Sequence, residues 1–114
     1  MYLKIGENLY PASFRPRGMD NSWDNRESME ITVDMTYAQA MEIFQDGLEW
    51  SRMRYSKPFA DADGNLPEPE EIVTDYSELC VAGPVTDHRN GTITVKMGRM
   101  TDSEILAELL EVLE

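Results

Sequence analysis

Ser28-Met29-Glu30-Ile31-Thr32-Val33-Asp34-Met35-Thr36-Tyr37-Ala38-Gln39-Ala40-Met41 holds the two patterns that decide the fold. Met29, Ile31, Val33 and Met35 alternate with Ser28, Glu30, Thr32 and Asp34, a period of two that gives a strand one apolar and one wet face. The period then changes. Thr36 followed three residues on by Gln39 is a capping box, and Tyr37, Ala40, Met41 and Phe44 recur at helical spacing. Gly47 can take the left-handed conformation that ends a helix, so the pattern predicts a helix over about 37–46.

Upstream, Tyr2-Leu3-Lys4-Ile5, the turn residues Gly6-Glu7-Asn8 and then Leu9-Tyr10 predict a hairpin whose ladder Pro11 stops. Ser13 to Asn25 mixes Pro16, Gly18, Asp20 and Asn21 with Phe14 and Trp23, an irregular segment pinned by aromatic anchors. Downstream, Leu48 to Tyr55 is a strand in which Arg52 and Arg54 share the parity of Trp50. Lys57 to Glu71 carries Pro, Gly and acidic residues with almost nothing to pack, and is expected to be an exposed loop or hairpin tip. Ile72 to Ala82 regains strand character. Val85, the turn residues through Asn90-Gly91 and then Thr92 to Met97 form a second hairpin, with Ile93, Val95 and Met97 facing the core. Ile93-Thr94-Val95-Lys96-Met97 echoes Ile31 to Met35. It too precedes a capping box, Thr101 with Glu104, and a stripe of Ile105, Leu106, Leu109, Leu110 and Leu113. That stripe is expected to close the core against the Met29 to Met35 face. The fold class is α+β: a mainly antiparallel sheet of about five strands, two short amphipathic helices packed on one face, and the other face partly exposed.

The 114 residues are those of one domain, 1–114, and 41% hydrophobic residues suffice to form a core. Charge is lopsided, with 22 Asp and Glu against 10 Lys and Arg, giving −12. Direct binding to nucleic acid or to an anionic membrane is disfavoured, because both draw affinity from Lys and Arg against phosphate. A protein partner, and in particular a basic one, fits the charge. No apolar run has the length of a membrane span and the opening residues lack a signal-peptide core, so the chain is expected in the cytoplasm when made. Cys80 is the single cysteine, which excludes an intramolecular disulfide framework and a thiolate zinc cluster.

Tests for chemistry return little. Asp61-Ala62-Asp63-Gly64-Asn65 begins like a calcium loop, but Leu66 and Ile72 stand where an EF-hand needs Gly and a bidentate Glu. The lone histidine, His88, has only Asp87 and Cys80 as nearby partners by sequence, and Cys80 among Leu79, Val81 and Ala82 reads as a small buried hydrophobe. No glycine-rich phosphate loop, HExxH, GxSxG or CxxC occurs. No catalytic, cofactor or metal residue is therefore assigned. What remains is a candidate interaction surface: Asp61, Asp63, Glu68, Glu70 and Glu71 of the loop, Glu104, Glu108 and Glu111 opposite the leucine stripe, and Trp23 and Trp50 as aromatic anchors, although tryptophans in a domain this small are more often core.

Three segments together carry a family resemblance: Tyr2 to Pro11, Arg26-Glu27-Ser28 through Thr36-Tyr37-Ala38-Gln39-Ala40 to Trp50-Ser51, and Val81-Ala82-Gly83 through Asp87-His88-Arg89-Asn90-Gly91 to Gly98. They resemble small proteins encoded by phages and prophages of gut bacteria, often among structural genes. The resemblance covers most of the chain outside the acidic loop and transfers no site residue. It implies a phage-encoded protein without enzymatic activity that acts through protein contacts, as a binding or structural module that is plausibly tail-associated and incorporated in the virion. The alternative is an acidic mimic of nucleic acid that inhibits a host defence enzyme, of the anti-CRISPR or anti-restriction kind.

Overall fold

A computed structural model describes residues 1–113, with side chains described as far as Glu111. Among the described residues the chain is α+β: eight strands, all paired antiparallel, and two short helices. The strands are β1 (Tyr2–Ile5), β2 (Asn8–Phe14), β3 (Gly18–Asp20), β4 (Arg26–Asp34), β5 (Ser51–Tyr55), β6 (Glu71–Asp75), β7 (Val81–Asp87) and β8 (Thr92–Gly98). The helices are α1 (Tyr37–Ile43) and α2 (Asp102–Leu113). In space the strands run β6-β5-β1-β2-β4-β8-β7, with β3 beside the first part of β4.

The strand count exceeds the sequence-based five for identifiable reasons. Pro11 does not end β2, because the strand changes partners there. Asn8 to Pro11 pairs with β1, and Ala12, Ser13 and Phe14 pair with Val33, Thr32 and Ile31 of β4. Ala12 donates its N–H to the Met1 carbonyl and Arg15 donates to Glu30, so alternation aims the N of Pro11 at β4. With no N–H to give, Pro11 ends the β4 ladder while the β1 ladder runs past it. β3, in the stretch expected to be irregular, forms a short hairpin with β4 whose turn holds Asp24 and Asn25 at φ 58° and 53°. Asp and Asn tolerate that left-handed region better than most residues. The strand expected over 72–82 is broken into β6 and β7 by the turn through Tyr76 and Leu79, which leaves Cys80 outside regular structure.

The echoing strands β4 and β8 are neighbours in register, with Met29, Ile31 and Val33 opposite Met97, Val95 and Ile93. These six are buried, with Leu3, Met35, Ala40, Phe44, Trp50 and Leu79 completing the core. Thr36 caps α1 as its spacing predicts, with reciprocal bonds to Gln39. The helix ends earlier than expected, at Phe44, while Gly47 shapes the following turn at φ 89°. Ala40 and Phe44 are the buried residues of this segment, beside β7 and β8.

The terminal helix departs from expectation. Its capping box forms, Glu104 N–H to Thr101 Oγ1 at 3.3 Å and Thr101 N–H to Glu104 Oε1 at 2.8 Å. Its apolar stripe, however, is not in the core: Ile105, Leu106, Leu109 and Leu110 are 40%, 57%, 56% and 55% exposed. The Leu113 side chain lies outside the described residues. Trp50 and Leu79 occupy the core where the terminal leucines were expected. Only α1 therefore packs on the sheet as a core helix.

Candidate functional site

The site is built around α2 and the buried arginine that holds it. Arg26 opens β4 on the polar face of the sheet, and its side chain is 3% exposed. Its guanidinium forms a bidentate pair with Glu104, 2.6 Å to Oε1 and 3.1 Å to Oε2, and Nη1 also donates to the Arg99 carbonyl at 2.9 Å. Trp23 covers it, with the guanidinium carbon 4.7 Å from the ring centroid. Gly98 and Gly83 make that close packing possible. A Cβ on Gly98 would lie 2.8 Å from Trp23 Cζ3 and would collide with Arg26 Cδ, and one on Gly83 would lie 2.6 Å from Trp23 Cη2. Hydrogen bonding from Arg26 first, then from the Thr101 N–H, holds the Glu104 carboxyl well below its ordinary value, at about 2.

This anchor sets which way α2 faces. Glu104, Glu108 and Glu111 lie on one arc of the helix and Ile105, Leu106, Leu109 and Leu110 on the opposite arc. Glu104 is tied inward to Arg26, and Glu104 and Glu108 line a cleft of about 370 Å³ with Asp46, Cys80, Val81 and Met100. Glu104 thus faces its own chain, while Glu108 and Glu111, like the leucines, are exposed. Asp46 is fixed in that cleft by accepting the Ala82 N–H at 2.9 Å.

The candidate surface residues do not form one patch. Asp61, Asp63, Glu68 and Glu70 are exposed on the loop between β5 and β6, and Glu71, expected in that loop, instead opens β6 opposite Tyr55; α2 follows β8, and β1, β2 and β4 stand between β5 and β8 in the sheet. Asp61 is committed locally, its Oδ1 accepting the N–H groups of Asp63 and Asn65, both at 2.9 Å. Trp50 is not an interface anchor: it is 1% exposed, stacked near Phe14 and Tyr76, and donates Nε1–H to the Leu79 carbonyl at 2.9 Å. Trp23 is half-buried over the two glycines. Of the ten residues, Glu108 and Glu111 are exposed acids on the arc of α2 opposite the leucines, and Glu104 is the one held in an ion pair. Arg26 is the residue that sequence reading missed. An arginine three residues after a tryptophan in a turn carries no signal until β4 brings it beside Gly98.

His88 Nε2 lies 2.7 Å from Thr94 Oγ1 in the β7–β8 hairpin, an exposed pair. Among the described residues no group of three or more His, Cys, Asp or Glu side chains converges in a way that could hold a metal ion, and no helix is long and apolar enough to cross a membrane. Comparison of the chain with protein-family models, curated proteins and solved structures returns no match.

Proposed function

We propose that the protein is a non-enzymatic binding module that docks on another protein through the leucine arc of α2, as a phage-encoded structural component that is plausibly tail-associated. The observation that carries this reading is the helix itself: Ile105, Leu106, Leu109 and Leu110 stand about half exposed on one arc while Glu104 on the opposite arc is held inward by Arg26. Exposed leucines at helical spacing are costly in water and are retained where a partner covers them. The resemblance of the segments 2–11, 26–51 and 81–98 to proteins of phage structural gene clusters supplies the setting. The phosphate-mimic alternative would need a continuous acidic face. It is weakened because Glu104 is paired within the chain and because the loop acids lie across the sheet from α2.

The test is mass spectrometry of purified virions made with the wild-type chain and with Leu106→Glu/Leu109→Glu. Incorporation of the wild type and its loss in the variant is the expected result. Absence of the wild type from virions, with capture of a host nuclease that is released by salt, would establish the inhibitor instead.

A further inference from the structure

We infer that the partner seated on α2 is an amphipathic helix of a different protein whose apolar stripe is flanked by Lys or Arg. This rests on the docking reading above and adds the chemistry of the occupant. Three observations choose it. First, four half-exposed side chains present roughly 400 Å² of apolar surface, about half of what one side of a stable interface contributes, so apolar contact alone is insufficient. Second, residues 101–114 contain Asp102, Glu104, Glu108, Glu111 and Glu114 and no Lys, Arg or His, in a chain of net charge −12. A second copy would add repulsion where attraction is required, and an anionic surface would do the same. Third, the cleft of about 370 Å³ beside α2 has Val81, Met100 and Cys80 among its lining, with the carboxylates of Asp46 and Glu108. That arrangement fits the aliphatic stem and cationic head of a long basic side chain lying against the helix. Glu104 is engaged by Arg26, so Asp46 and Glu108 are the carboxylates of the cleft without an ion-pair partner among the described residues.

The experiment uses the full chain and two synthetic helical peptides of about twenty residues with identical leucine stripes, one flanked by Lys and one by Glu. Binding is read by calorimetry, and circular dichroism verifies the fold of each variant. The Lys-flanked peptide is expected to bind at least about tenfold tighter than the Glu-flanked one, and to weaken by at least about tenfold between about 50 and about 500 mM NaCl. Leu106→Glu/Leu109→Glu is expected to abolish binding, and Glu108→Gln to weaken it severalfold. Equal affinity for both peptides, lost in the leucine variant, would overturn the basic flank and leave the docking reading standing. Binding of neither peptide, or binding of the Lys peptide that persists in the leucine variant, would overturn both. A dimer seen by sedimentation and lost in the leucine variant would replace the occupant with a second copy, and leucine-dependent binding to phosphatidylcholine vesicles would replace it with a membrane.

Discussion

Glu104→Gln isolates the charge that holds α2 to the sheet. Glutamine keeps an oxygen to accept the Thr101 N–H, so the capping box survives and only the ionic component of the Arg26 pair is lost. A carboxyl lowered from 4.5 to about 2 corresponds by linkage to ~3 kcal/mol in full. Because 40% of the Glu104 side chain is exposed, screening by solvent reduces the expected loss to roughly 1–2 kcal/mol. The sign follows from the depressed value: the stabilisation is complete above the unfolded-state pKa and disappears as pH falls through about 2. Urea unfolding of wild type and variant at several pH values between about 2 and 7 should show a gap that is widest above pH ~5 and closes toward pH ~2. Helical ellipticity should fall in the variant as α2 frays. A gap independent of pH, or none at neutral pH, would mean that the Arg26 pair does not hold the helix.

Core and stripe leucine-type residues should respond in opposite ways: Ile31→Ala, fully buried between β2 and β8, should cost about 2–5 kcal/mol in urea unfolding, whereas Leu109→Ala should change stability by less than ~0.5 kcal/mol. Gly98→Ala should lower stability by about 1–3 kcal/mol because the new methyl meets Trp23 and Arg26, and Trp23→Ala in the same chain should recover part of that loss when melting temperatures are compared. Replacing residues 59–68 by a short Gly-containing turn should leave stability within about 1 kcal/mol, as judged by thermal unfolding, because every residue in that stretch is exposed and loop closure depends only weakly on length.

The sheet was legible where periodicity was strict. Met29 to Met35 and Ile93 to Met97 face the core as their alternation implies, and both capping boxes form. The illegible parts share a cause: their structure depends on partners distant in sequence. Pro11 reads as a terminator until β2 is seen to have two neighbours, only one of which needs the missing N–H. Gly18 to Asp20 is too short to show a period and becomes a strand by pairing with Arg26 to Ser28. The leucines of α2 have the spacing of core residues, yet spacing states only that one arc is apolar. That this arc faces away from the sheet follows from Arg26, which ties Glu104 inward. At the site, the choice between core and anchor for Trp50 is open in the sequence, because a buried and an exposed tryptophan look alike until the acceptor for Nε1, the Leu79 carbonyl, is located.

The change of partners along β2 has a mechanical meaning. Four register pairs join it to β1 and three join it to β4, and no other strand of the sheet bridges those two groups. Within the sheet, the path between the β5–β6 edge and the β7–β8 edge crosses two short ladders, β1–β5 and β2–β4, of three register pairs each. Twisting one edge against the other disturbs the fewest backbone pairings at these two ladders. The β4–β8 ladder, with seven register pairs, is by the same measure the stiffest part of the sheet.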